Sequence, residues 1–288
     1  MKDIPTSPRI KQIRRNQRRR RLWLFILFFI LFLSVVIALA YFSSDEHLVI
    51  DKVVVNGTHI LDPDKIEREV RKDISGKYIY LFSKSNGFIY PHKQIYNDLI
   101  LNFPRIELLS ISRESLKTLK IDITERVGSY LYCGVSIPDN KDEVGENCYF
   151  INNDGYIFDK APYFSGNVYF KYYMALLDGV TNPLAKQMVS VDRFHELGRF
   201  IDGIASLGFK PIYFVTDKDG TNSLYLNHGP SDTVPKIIFK NDADLENILY
   251  NLTLAMGKKE FADEINSKYI KLLYIDLRFK NKVLYKFQ

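Results

Sequence analysis

The chain has 288 residues, 46% of them hydrophobic and 14% aromatic, enough to bury a core in two small domains or one large one. The net charge is +6, but residues 1–21 hold nine Lys or Arg against one acid, which leaves 31 basic and 33 acidic groups in the rest. The basic character belongs to the tail, and the high pI is no argument for nucleic-acid binding.

Residues 22–42 (LWLFILFFILFLSVVIALAYF) carry no charge. As a helix this run is about 31 Å long, the thickness of a bilayer core. Every basic residue of the tail precedes it, and Ser43, Ser44, Asp45 and Glu46 follow. The positive-inside rule then predicts a cytoplasmic N-terminus, a single-pass helix in the cytoplasmic membrane, and residues 43–288 outside. Orienting the helix is enough to explain the tail, which could also touch anionic headgroups. Ala38-Leu39-Ala40 resembles a signal-peptidase site, with cleavage after Ala40. The 16 apolar residues before it, extended by Tyr41 and Phe42, favour an uncleaved anchor over a signal peptide.

A first module is predicted over residues 47–126. Leu48 to Val55 is β-rich and ends at Asn56-Gly57, a turn signal. Asp62 caps a helix with Pro63 at its first position and Ile66 and Val70 on one face. Leu81 to Tyr90 is left as an unassigned link. Pro91 opens a second helix, with Ile95, Leu99 and Phe103 at spacing four. Two strands follow, Ile106 to Arg113 and Leu119 to Thr124, the second alternating cleanly. The order is β-α-α-β-β.

From 127 to 288 a mainly antiparallel β domain with two helices is predicted. Short strands at Tyr130 to Cys133 and Cys148 to Ile151 precede a turn at Asn153-Asp154-Gly155 and a return strand at Tyr156 to Phe158. A helix is expected at Val191 to Leu207, stopped by Gly208. A hairpin crosses Asp217 to Gly220, a strand runs from Val234 to Lys240, and a helix from Asp242 to Met256. The last strand is placed at Lys271 to Lys280 (KLLYIDLRFK), with Leu273, Ile275, Leu277 and Phe279 on one face and Tyr274, Asp276, Arg278 and Lys280 on the other. Asp276 and Arg278 then point the same way and can pair. Cys133 and Cys148 flank a polar loop outside the membrane, where oxidation favours a disulfide over two unpaired thiols.

A β-α-α-β-β module directly after one anchor resembles a POTRA domain. In residues 110–128 (SISRESLKTLKIDITERVG), Arg113, the turn Ser115 to Thr118, the strand Leu119 to Ile123 and Glu125-Arg126 resemble that module's closing hairpin, without its usual turn proline. Together with the basic tail, the anchor, CYFINNDGYIFDKAP at 148–162 and Tyr-Ile-Asp-Leu-Arg-Phe at 274–279, the whole chain resembles the FtsQ/DivIB family of bacterial cell-division proteins. The resemblance implies an α+β fold and a non-enzymatic scaffold at the division septum. Such a scaffold holds FtsB- and FtsL-like partners and helps recruit or regulate septal wall synthesis. It implies that a partner strand adds along the late strand. By position Tyr274, Arg278, Phe279 and Asn281 match its contacts, and Asp276 holds Arg278. Phe279 stands where a hydroxylated aromatic is usual; strict alternation would turn it to the core, and a bulge or the strand's end would turn it outward.

No Gly-x-Ser-x-Gly elbow, His-Glu-x-x-His or P-loop occurs in the sequence. The five histidines show no metal-ligand spacing, and no cofactor is expected. Asp217-Lys218-Asp219-Gly220 has its glycine at the wrong position for a calcium loop and reads as a turn. Two other functions compatible with an anchored outer domain are a POTRA-type module in secretion or outer-membrane traffic, which calls for a β-barrel or passenger, and a cell-wall hydrolase. The sequence shows no run of barrel strands.

Overall fold

A computed structural model describes residues 8–137, 147–164, 166–176, 179, 182–227, 234–280 and 282–288. The chain is mixed α/β and divides into two compact units, residues 1–125 and 126–288.

The first unit opens with one long helix, α1 (Pro8–Ser43). Helix continues without a break from the apolar run back to Pro8 in the basic tail. The stretch Asn16–Ser43 is long and apolar enough to cross a membrane, and its most apolar window has no side chain buried in the protein. A helix that is apolar all round and covered by nothing is not a soluble core helix.

A small three-stranded sheet follows. Its strands are β1 (Lys52–Asn56), β4 (Ile106–Arg113) and β5 (Thr118–Glu125), in the order β1-β5-β4. β1 runs parallel to β5, and β4 antiparallel to it. The helices α2 (Pro63–Asp73) and α3 (His92–Asn102) supply the other side of the core. Ile66, Val70, Ile95, Leu99, Leu119 and Ile121 have no exposed surface. Asp62 caps α2 through the Asp64 N–H, 3.0 Å away. Gly57 has φ +80, and a Cβ there would lie 2.0 Å from the Ile123 carbonyl oxygen, so the turn after β1 needs glycine. At the end of β5 the Glu125 carboxylate accepts the N–H groups of His59, Ile60 and Leu61 at 2.8, 3.0 and 2.9 Å. Burial alone would raise this carboxyl; the three donors override that and hold it below its ordinary range. The unassigned link at Leu81 to Tyr90 takes part in a two-stranded ribbon, β2 (Lys77–Tyr78) and β3 (Phe82–Ser83), and in a bridge between Val49 and Asn86.

The described residues of the second unit form a sheet of ten strands. They are β6 (Tyr130–Tyr132), β7 (Tyr149–Ile151), β8 (Tyr156–Lys160), β9 (Lys171–Tyr173), β10 (Lys186–Gln187), β11 (Pro211–Thr216), β12 (Thr221–Leu226), β13 (Lys236–Lys240), β14 (Leu272–Asp276) and β15 (Leu284–Phe287). Their order across the sheet is β10-β8-β7-β6-β9-β11-β12-β13-β14-β15. Most neighbours are antiparallel. The pairs β6-β9, β9-β11 and β13-β14 are parallel, so the sheet is mixed and, as expected, mainly antiparallel. Parallel pairs need a long crossover. Between β13 and β14 that crossover is α5 (Leu245–Met256) and α6 (Lys259–Ser267).

With α4 (Val191–Ser206) the described residues of this unit therefore form three helices where two were expected. The missed one, α6, starts just beyond Gly257 and buries only Ile265, a thin apolar signal among charges. The helices cover one face of the sheet, where Phe194, Phe200 and Leu252 meet Phe214, Leu224 and Ile275. On the opposite face a smaller cluster contains Tyr173, Val215 and the disulfide between Cys133 and Cys148. The bond joins residues just outside the paired ends of β6 and β7, with sulfurs 2.02 Å apart.

Two outcomes follow for stability. Asp73 is buried at 4% exposure; its Oδ1 accepts from Gln94, no N–H or hydroxyl donor reaches its Oδ2, and the Asp98 carboxyl lies within hydrogen-bonding reach. Burial, reinforced by the nearby Asp98, raises this carboxyl. The protein thus loses stability as pH rises through that elevated value, and Asp73→Asn escapes the loss. We expect Asp73→Asn to stabilise the first unit by on the order of 1 kcal/mol at pH 8, with the gain shrinking below the ordinary carboxylate range, read from denaturant unfolding at both pH values. Reducing the Cys133–Cys148 bond should cost the second unit about 3 kcal/mol, measured as a lower unfolding midpoint in the Cys133→Ser/Cys148→Ser variant.

Candidate partner-binding edge

The late motif folds differently from a ten-residue strand. A single 3-10 turn (Tyr269–Lys271) leads into β14, which stops at Asp276. A register shift between Leu272 and Tyr274 breaks the alternation. Leu272, Ile275 and Leu277 are buried in the helix-side core, and Tyr274 is half-buried.

Asp276 is buried at 4% exposure and pairs with Arg278 in a fork. Arg278 Nε donates to Asp276 Oδ1 at 3.0 Å, Nη2 donates to Oδ2 at 2.7 Å, and the Arg278 backbone N–H donates to Oδ1 at 3.0 Å. Burial would raise the Asp276 carboxyl; these bonds and the guanidinium charge prevail and hold it low. Asp219, on the turn between β11 and β12, adds to the negative field around Arg278. The guanidinium remains partly exposed, with 38% of its side-chain surface accessible. Asp276 therefore aims Arg278 outward from a fixed base. The expectation that these two side chains pair agrees with the geometry.

Phe279 lies beyond the strand and is 50% exposed. Of the two positions expected for Phe279, the outward one is observed: β14 ends at Asp276, and alternation no longer applies beyond it. Phe279 and Arg278 border a small cleft of about 170 Å³ with Lys240, Asn247 and Asn251. Asn281 lies outside the described residues.

A correction concerns the edge. β14 has β13 on one side and β15 on the other, so no further strand can pair along it. Among the described residues the sheet ends at the two-residue β10 and at β15, and the edge beside the late motif that is open to an added strand is the outer side of β15. Gln288 donates its N–H inward to the Lys271 carbonyl at 2.8 Å. Alternation along the strand then turns the N–H groups of Phe287 and Tyr285 outward. Behind the edge, Tyr285 packs on Phe261 of α6 and donates its hydroxyl to Glu264 at 2.7 Å, while Lys268 lies over the Phe287 ring. These contacts fasten the short strand to α6 and to Lys268 just after it.

Register places further residues beside Tyr274. On the helix-free face one cross-strand row reads Lys171, Tyr213, Tyr225, Lys236, Tyr274 and Lys286. Tyr213 and Tyr225 stack at 4.5 Å, and the Lys236 ammonium lies 5.5 Å from the Tyr225 ring centre. Burial, with Tyr225 beside it, pushes the Tyr213 hydroxyl up to about 12. Sequence reading missed β15 and with it Leu284 and Lys286. The signal was short: Val283, Tyr285 and Phe287 alternate with Leu284 and Lys286 just before the terminus.

Other candidate groups do not assemble into a site. His195 pairs with Asp154 at 3.0 Å, both half-exposed. Asp219 accepts from the Thr221 N–H and hydroxyl within a hairpin turn. Among the described residues, His, Cys, Asp and Glu nowhere form a group of three able to hold a metal ion. In comparisons with known proteins the sequence matches no family model and no curated protein.

The fork predicts a pH-dependent mutant. Asp276 has a depressed carboxyl, so its contribution is present above the ordinary carboxylate range and fades as pH falls through the folded-state value. Asp276→Asn should cost about 1 to 2 kcal/mol at pH 7. The cost should fade in acid as the native carboxyl itself protonates, measured by urea unfolding from pH 3 to pH 7.

Proposed function

We propose that this protein is a bitopic, non-enzymatic scaffold of bacterial septation, similar to the FtsQ/DivIB family, that captures FtsB- and FtsL-like partners on the β15 edge. In this reading α1 is a single-pass anchor in the cytoplasmic membrane at the division septum. The N-terminus is cytoplasmic, both units lie outside, and partner capture helps recruit or regulate septal peptidoglycan synthesis.

The observation that carries the reading is the open β15 edge, braced by α6 and flanked by the Asp276–Arg278 fork. An unpaired strand edge is a template for a partner strand, with main-chain bonds for affinity and side chains for selectivity. Tyr and Arg are the residue types that commonly anchor such interfaces. Tyr274 and Arg278 stay partly exposed, so a partner can reach them. The first unit supports the same reading. Its β-α-α-β-β order, interrupted only by the β2–β3 ribbon, and its β1-β5-β4 sheet suit a POTRA-like module. The all-round exposure of the apolar helix supports an anchor.

The test uses the full chain purified in mild detergent with its host's small single-pass coiled-coil division proteins. Phe287→Pro removes an outward N–H from β15, and Arg278→Glu reverses the flanking charge. Each folded variant should hold the partners on the order of tenfold more weakly, as expected for the loss of one good contact. Undiminished binding by both, with circular dichroism unchanged, would rule out this edge as the site.

A further inference from the structure

The β2–β3 ribbon has the wrong chemistry for a turn in water. Its tip, Ile79-Tyr80-Leu81, is 83%, 95% and 42% exposed. Ile79 has φ 47 and Tyr80 φ 62, in the left-handed region that Asn and Gly adopt readily and that a β-branched residue such as Ile resists. A hairpin facing solvent is served better by Asn-Gly, with less strain and no exposed apolar surface. Two bulky apolar residues in this conformation call for a non-aqueous neighbour.

The ribbon is fastened to the end of α1. Ser43 is buried, its Oγ accepts the Ser83 N–H at 2.9 Å, and its carbonyl accepts from Asn86 Nδ2 at 3.0 Å. From that joint the tip is directed back along the helix. Tyr80 and Leu81 form one wall of a cleft of about 550 Å³, and Ile37, Ala40 and Tyr41 form the other. Ile37 lies six residues before Ser43, about 9 Å down the axis and within the uncharged run. That is the depth at which interfacial segments bury their apolar faces. Lys77 stands at the root of the ribbon, and Lys84, just after it, lies 5.7 Å from the Tyr78 ring centre. Both can keep their ammonium groups among headgroups while their stems follow the apolar surface. Asp45 and Glu46 also border the cleft, which favours a zwitterionic over an anionic lipid surface. The Asp45 carboxylate accepts the His47 N–H and so serves its own turn.

We propose that the Ile79-Tyr80-Leu81 tip inserts into the outer headgroup and upper acyl region of the bilayer beside α1, as a second membrane contact that fixes the first unit against the lipid surface. The inference rests on the membrane-spanning reading of α1 and deepens it. Continuity with that helix selects the occupant, because a bilayer that takes in Ile37 and Tyr41 also reaches Tyr80.

The native chain has one tryptophan, Trp23, near the other end of the apolar run, which supplies an internal control. Full-length native protein and the Trp23→Phe/Tyr80→Trp variant are reconstituted into phosphatidylcholine vesicles containing lipids brominated at defined depths. Tyr80 is almost wholly exposed, so an indole at this position displaces no packing. The proposal expects blue-shifted emission from position 80, quenched most strongly by shallow bromines, with Trp23 also quenched. Quenching of Trp23 but not of the indole at position 80 overturns the tip's insertion and leaves the anchor standing. Quenching of neither overturns both.

Discussion

Most of the apolar run of α1 has no protein cover, and that sets the conditions for the rest of the molecule. Side chains from Leu22 to Phe42 point outward all round the helix. In water this surface costs tens of kcal/mol at about 25 cal/mol per Å². On the proposed single-pass reading a bilayer removes the cost, and the basic tail sets the helix's direction. On the proposed topology the oxidising side of the membrane surrounds both units. The Cys133–Cys148 bond belongs in such a compartment, and main-chain edges there are open to other membrane-tethered chains.

The second unit manages a ten-stranded sheet by unequal treatment of its faces and ends. Helices close one face with Phe194, Phe200 and Leu252, while the disulfide and the tyrosine stack serve the other. One end of the sheet is β10, a strand of two residues, and very short edges discourage unwanted pairing. The other end is β15, four residues long and held by α6 through Tyr285 and Phe287. The buried Asp276 contributes by orienting Arg278 beside that end; the fork costs desolvation and returns a fixed direction for one partly exposed cation.

Much of this was legible in the sequence where a physical signal was strong and local. The uncharged run, the Asp62 cap, the Asn56-Gly57 turn and the i,i+4 pairs Ile66/Val70 and Ile95/Leu99 each reflect one constraint acting within a few residues, and each element stands where that constraint puts it. The Asp276–Arg278 pairing was legible for the same reason. What was not legible depends on distant neighbours. The sequence left two faces open to Phe279, and the choice between them rests on where β14 ends between β13 and β15. The parallel pairs follow from crossovers that no local pattern announces. The strand β15 was hidden because five alternating residues near a terminus resemble a frayed end. The Glu125 carboxylate reaches back more than sixty residues to the loop before α2, beyond the range of any spacing argument.

The central claim is that a partner strand lies along β15. The most direct measurement places a photoreactive amino acid at Lys286, on the strand's helix-free face, in the full chain expressed in dividing cells, and identifies the cross-linked peptide by mass spectrometry. The account predicts a cross-link to the membrane-distal segment of a small single-pass coiled-coil division protein, lost when Arg278→Glu is introduced. Cross-links that fall only on unrelated proteins, or that persist unchanged with Arg278→Glu, would contradict it.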